Sequence, residues 1–175
     1  RVGDFYETFG EDAVKASRAL GIVLTKRANG SASSVELAGF PHHALETYLP
    51  KLVRAGYKVA VCDQLEDPKF AKKIVKRGIT EIVTPGLSYN PQLLEASEHN
   101  FLAALYSEGE ENTLKTGIAF LDISTGTVHI AEGMMPYIES LLSQYAPKEL
   151  LVQKGREKSW KAREAGNLCV STIDD

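Results

Sequence analysis

Long apolar runs are missing from this sequence: no stretch of eighteen apolar residues occurs, so no transmembrane helix is expected. Cysteine is scarce. Cys62 and Cys169 stand far apart, outside any metal-ligand spacing, and Cys62 falls in an apolar strand pattern where a free buried thiol is the ordinary state. A reducing, cytoplasmic location fits that usage, and the sequon Asn29-Gly30-Ser31 would matter only in a secreted chain. No glycine-lysine phosphate cradle and no glycine-rich dinucleotide turn is present, and no serine sits in a nucleophile elbow. His42 and His43 are adjacent, whereas a metal-binding helix spaces its histidines four apart; His99 and His129 stand alone. Solvent-facing or capping roles are expected for the pair. Arg1-Val2-Gly3-Asp4 is neither an initiator start nor a signal peptide. It reads as the middle of a strand, and the chain is expected to be a fragment.

Excess positive charge is missing too. A formal net charge of −3 argues against a generally basic coat for nucleic acid. The charge is unevenly spread, however: residues 1–99 hold 13 Lys and Arg against 12 Asp and Glu, and residues 100–175 hold 7 against 11. A polyanionic partner is therefore expected to prefer the first half.

What is present describes a folded chain. At 175 residues, 43% of them apolar, there is material for one large domain or two small ones. Gly3-Asp4-Phe5-Tyr6-Glu7 opens as a strand whose period of two puts Phe5 and Glu7 on one face and Tyr6 on the other. Two readings fit: a core Phe, half-buried Tyr and solvated Glu, or an exposed aromatic beside an acid. A helix over Glu11–Leu20 stops at Gly21, and Ile22 to Thr25 reads as a short strand running into Lys26-Arg27. Ala28 to Ser34 is a flexible loop, and Val35 to Gly39 a returning strand. Pro41 opens a helix whose stripe is Ala44, Leu45, Tyr48, Leu49, Leu52 and Val53, ended by Gly56. Tyr57 to Leu65 reads as a buried strand. Asp67-Pro68 then starts a short helix, and Ile79 to Thr84 a further strand stopped by Pro85-Gly86.

Leu87 to Asn100, with Pro91 and little periodicity, reads as a linker. Strands follow at Phe101–Tyr106, Thr116–Ile123 and Thr127–Ala131, the last two joined by the turn Ser124-Thr125-Gly126. Met135–Tyr145 is helical and Glu149–Val152 a strand. The last twenty residues are polar, so the chain is expected to stop inside this second domain.

Three clusters invite functional readings. Lys26-Arg27 lies between a strand and a glycine-bearing loop and suits backbone phosphates, which fix register without reading sequence. Lys69, Lys72, Lys73 and Lys76 fall on one helical face, either a phosphate-contacting patch or a solvated surface. Asp122, in Asp122-Ile123-Ser124-Thr125-Gly126, resembles the first acid of ribonuclease H-like nucleases. Two-metal hydrolysis needs several converging carboxylates, and nothing in the spacing of Glu132, Glu139 and Glu149 demands that. Support of its own hairpin turn is the expected role of Asp122.

Taken in order, Gly3-Asp4-Phe5-Tyr6-Glu7, Leu24-Thr25-Lys26-Arg27, Ala38-Gly39-Phe40-Pro41-His42-His43-Ala44 and Ile82-Val83-Thr84-Pro85-Gly86 resemble the amino-terminal region of the bacterial MutS family of DNA mismatch-repair proteins. Asp122-Ile123-Ser124-Thr125-Gly126 fits the start of the family's connector domain, which has a ribonuclease H-like fold without nuclease activity. The resemblance covers nearly the whole chain and weakens after Val152. It implies an α/β (α+β) chain: a mixed-sheet mismatch-recognition domain over residues 1–86, a linker over 87–99, and a truncated connector over 100–175.

In this family the phenylalanine of the Phe-X-Glu motif, here Phe5, wedges into DNA from the minor groove and stacks on a mispaired base. The glutamate, here Glu7, hydrogen-bonds that base. Lys26, Arg27 and His42 complete the expected DNA-binding set, and no catalytic or metal-binding residue is expected. The resemblance further implies double-stranded DNA with mismatches as partner, a homodimer in the full-length protein, and downstream repair proteins on the connector. ATP and Mg²⁺ belong to a domain not matched here, so no enzyme activity and no cofactor are expected of this piece. A metal-dependent nuclease using Asp122, and a protein-interaction module, are the alternative functions.

Overall fold

The structure, a computed structural model, describes residues 1–29, 33–67, 70–71, 74–87, 99–108, 115–158, 160 and 168–173. It divides into two compact units, Arg1–Val83 and Thr84–Asp175. Both are mixed α/β, in agreement with the sequence.

The first unit opens on a tight turn rather than mid-strand. Val2 and Phe5 exchange backbone hydrogen bonds of 2.8 and 3.2 Å, and Gly3 at the bend has φ +58°, a left-handed conformation natural to glycine. Strand β1 (Phe5–Phe9) therefore starts at the aromatic residue itself. Helix α1 (Gly10–Leu20) follows and packs on the sheet through Ala13, Ala16 and Leu20. The strand expected from Ile22 begins only at Thr25. The Ser17 carbonyl accepts from Ile22 N–H at 3.2 Å, so the helix-closing turn takes Ile22, and β2 covers Thr25–Asn29. β2 and β3 (Ser33–Pro41) extend into the expected loop from both sides, and the sheet runs β1-β3-β2, antiparallel throughout.

Pro41 does not open a helix. It is the last residue of β3, paired with Phe5, and its ψ of 136° is extended. His42 N–H then donates to the Asp4 carbonyl at 2.8 Å, which carries the pairing one residue further. A 3-10 turn (His42–Ala44) leads into α2 (Leu45–Arg54), which buries Pro50, Leu52 and Val53. Strands β4 (Val59–Gln64) and β5 (Arg77–Val83) form a separate antiparallel pair bulged between Val61 and Cys62. Of the strand expected to be buried, only Val61 is. The helix expected after Asp67 is not formed among the described residues: Phe70 N–H closes a turn on the Asp67 carbonyl at 3.0 Å. Lys69, Lys72 and Lys73 lie outside the described residues, so the lysine stripe does too. The core here is thin: Ala16, Leu20, Phe40 and Leu52, flanked by Tyr6, Tyr48 and Val59.

The second unit takes in Thr84-Pro85-Gly86. Gly86 N–H donates to the buried Glu149 carboxylate at 3.2 Å, and Asn100 Nδ2 donates to the Pro85 carbonyl at 3.0 Å. Of the linker, residues 88–98 lie outside the described residues. Strands β6 (Phe101–Glu108), β7 (Lys115–Asp122) and β8 (Thr127–Gly133) are antiparallel neighbours. Helix α3 (Met135–Tyr145) crosses over to β9 (Glu149–Gln153), parallel to β6. A strand that sequence patterning missed, β10 (Cys169–Ile173), pairs parallel with β9 and buries Cys169. The five strands run β10-β9-β6-β7-β8, the mixed sheet expected of a ribonuclease H-like domain. Alternate residues of β6, β7 and β9 meet Ile138, Leu142 and Trp160 in one dense core.

Candidate nucleic-acid interface

The first three side chains of β1 divide as a strand's period of two requires. Phe5 keeps 46% of its surface exposed at the start of the paired strand. Tyr6 turns the other way, its ring 6.0 Å from that of Phe40, which in turn stacks on Tyr48 at 4.6 Å. Glu7 returns to the face of Phe5, and Phe9, also exposed, shares it. Glu7 lies opposite Gly39. A Cβ at that glycine would come within 2.7 Å of the Tyr6 carbonyl oxygen and 3.3 Å of Glu7 Cγ, so only glycine lets the two strands and the glutamate pack this closely.

Electrostatics hold Glu7 in place. Arg27 on β2 reaches across to its carboxylate at 3.3 Å, and the Glu7 side chain is left 17% exposed under an Arg27 side chain 54% exposed. Lys26 does not join them. Adjacent strand residues face opposite ways, so Lys26, paired in register with Glu36, lies on the other side of the sheet. His42 caps the far end of the site: its backbone N–H and Nδ1 both reach the Asp4 carbonyl, at 2.8 and 3.1 Å. A carbonyl only accepts, so Nδ1 carries the proton and Nε2 is the ring's remaining polar atom. Phe5, Glu7, Arg27 and His42 thus gather around β1, while Lys26 diverges.

A polar support beneath this face was not apparent in the sequence. The Tyr6 hydroxyl donates to Asp63 Oδ2 on β4 at 2.7 Å. Burial raises the Tyr6 phenol, and the Asp63 carboxylate raises it further, to about 12. The same hydrogen bond holds Asp63 below the usual carboxylate range against the opposing effect of burial, helped by Gln64 N–H and Arg1. Asp63 is an acid placed directly after the apolar run Val59 to Cys62, and that mismatch of residue and context was its only signal.

Asp122 is fully buried at the end of β7. Its Oδ1 accepts from Ser124 N–H at 3.0 Å and Ser124 Oγ at 2.6 Å, and its Oδ2 meets His99 Nδ1 at 2.9 Å. Burial opposes ionisation, but the hydrogen bonds from Ser124, His99 and Thr125 outweigh it and bring the carboxyl down to about 2. Oδ1 closes the hairpin turn, the role expected of Asp122, and Oδ2 ties that turn to His99 ahead of β6. Among the described residues no group of three His, Cys, Asp or Glu side chains is placed to hold a metal, and no helix is long and apolar enough to cross a membrane.

Comparison with known proteins places both units. Residues 1–91 match the family model described as MutS domain I, and residues 100–174 match MutS domain II. The whole chain is similar to the DNA mismatch repair protein MutS of Parabacteroides distasonis, at 55% identity, and of Phocaeicola vulgatus, at 56%. Over 154 residues, 88% of the chain, it is 64% identical to that of Porphyromonas gingivalis, covering 17% of that protein. The chain spans 20% of the length of the first two relatives.

Proposed function

Because the chain belongs to the MutS family of DNA mismatch-repair proteins, we propose that its first unit senses mispaired or unpaired bases in duplex DNA, with Phe5 as the wedge and Glu7 as the group that hydrogen-bonds the base. One observation carries this reading: an aromatic ring left 46% exposed on a paired strand, on the same face as an acid. An apolar wedge driven between base pairs unstacks a step and kinks the duplex, at a cost of a few kcal/mol. A mispair has already lost part of its pairing and stacking, so it deforms more cheaply than a matched pair. Discrimination then arises from deformability, which suits a sensor that must respond to many different mispairs.

A carboxylate near phosphates is repelled, and Arg27 offsets that charge at 3.3 Å. Glu7 can accept from a base N–H, adding a requirement that an intact pair meets poorly. Arg27 and His42 border the wedge and suit contacts to flanking phosphates, which position without reading sequence. Fluorescence anisotropy of this chain with a duplex carrying one G·T mispair, against its matched counterpart, tests the assignment. Phe5→Ala abolishes the preference for the mispair; a preference unchanged in that variant would overturn it.

A further inference from the structure

We propose that Asp63 is a positioning residue for the Phe5–Glu7 pair, acting through the hydroxyl of Tyr6. The proposal rests on the reading of Phe5 as a wedge and extends it to residues on a different sheet. Tyr6 stands between the two reading residues in the chain and faces away from them, so whatever fixes Tyr6 fixes both neighbours. Strand geometry makes the link rigid. A shift of β1 by one residue would exchange Phe5 and Glu7 for Tyr6 on the open face.

The restraint is built from β4 and β5, not from the sheet that carries the wedge. Asp63 Oδ2 accepts the Tyr6 hydroxyl at 2.7 Å, and Asp63 Oδ1 accepts from Gln64 N–H at 2.7 Å and meets Arg1 Nη1 at 3.4 Å. Arg77 Nε on β5 donates to the Arg1 carbonyl at 2.6 Å. The segment leading into Phe5 is thus held at Arg1, at Asp4 by His42, and at Tyr6 by Asp63. Phe5 lies among these anchors with its ring outside. Inserting a side chain into a base stack loads the strand behind it, and a wedge already ordered does not lose that freedom on binding. The phenol stays protonated well beyond neutral pH and the carboxylate stays ionised, so donor and acceptor keep their roles.

Tyr6→Phe removes one oxygen and keeps the ring against Phe40; Asp63→Asn keeps the shape and removes the charge. Anisotropy with the G·T and matched duplexes is expected to show an about three- to tenfold loss of mispair preference in each, with matched-duplex binding unchanged. The double variant is expected to lose no more than either single one, since both act on the same bond. Asp63→Glu, which keeps the acceptor charge, restores part of the preference. Hydrogen exchange at the Phe5 amide, bonded to the Val2 carbonyl at 3.2 Å, supplies a readout independent of DNA and is expected to quicken in Tyr6→Phe. Phe5→Ala serves as reference. If it keeps the preference, the wedge assignment fails; if it loses it while Tyr6→Phe and Asp63→Asn match the parent chain, the positioning role fails. Should both duplexes bind too weakly to compare, unchanged exchange at Phe5 in Tyr6→Phe overturns the proposal.

Discussion

In the first unit Glu7 sits on an open sheet face beside an exposed ring, its carboxylate covered by one guanidinium from a neighbouring strand. In the second, Asp122 is sealed at the end of β7, its two oxygens occupied by Ser124 and His99. Both acids stand next to features that suggest chemistry, Glu7 beside an aromatic and Asp122 before a glycine turn. Their surroundings differ. A carboxylate whose acceptor sites are filled from inside the protein stabilises a turn; one held by a single surface ion pair can exchange that partner for a ligand. The same contrast runs through the packing. The second unit closes a dense core around Phe120, Ile118 and Leu150, while the first keeps a thin core.

Removing one aromatic from each unit separates the two environments most strongly. Phe120→Ala opens a cavity where the ring is 1% exposed and stacked on Tyr145 at 4.4 Å. It is expected to cost about 3–5 kcal/mol, read from urea unfolding followed by the fluorescence of Trp160 in the same core. Phe5→Ala is expected to change stability by no more than about 0.5 kcal/mol while abolishing mispair preference. Equal losses of stability would erase the distinction between the packing residue and the proposed reading residue.

Acid tests Asp122 next. Its folded-state pKa lies below the ordinary carboxylate value, so the stability it contributes is complete above about pH 4 and is lost as pH falls towards about 2. The difference in unfolding free energy between the parent chain and Asp122→Asn is expected to be on the order of 2 kcal/mol near neutrality and to shrink across that window. A difference independent of pH would mean that the charge of Asp122 is not what closes the hairpin. Glu7→Ala is expected to have a smaller effect than Asp122→Asn. Loss of a partly exposed ion pair costs at most about 1 kcal/mol. Anisotropy is expected to show weaker discrimination and undiminished binding to matched DNA.

Where local pattern and tertiary packing agree, the elements were legible. The apolar spacing of Ile138, Leu142 and Tyr145 marks α3 to its observed bounds, Met135–Tyr145, and the turn after Asp122 marks the β7–β8 hairpin. Pro41 misled because a proline suits both the first turn of a helix and the end of a strand, and pairing with Phe5 decided between them. β10 was hidden because Cys169–Ile173 has no strong apolar alternation; its strand exists through the parallel edge that β9 offers. At the site, Phe5, Glu7 and Arg27 were legible as residues, but their convergence was not. Arg27 meets Glu7 across 20 residues of chain and Asp63 meets Tyr6 across 57, and no local period encodes such partners.

By itself, then, the order of residues determined that Phe5 and Glu7 share a face and Tyr6 opposes them, because strand alternation is a property of the backbone alone. It carried the family too, through motifs whose spacing survives without coordinates. Only the tertiary structure decided that Phe5 stays in solvent, that Glu7 is held by Arg27 while Lys26 turns away, and that Asp63 stands behind Tyr6. Exposure and hydrogen-bond partnership depend on which distant strands arrive beside a residue, and the register of those strands is settled by the packing of the whole unit.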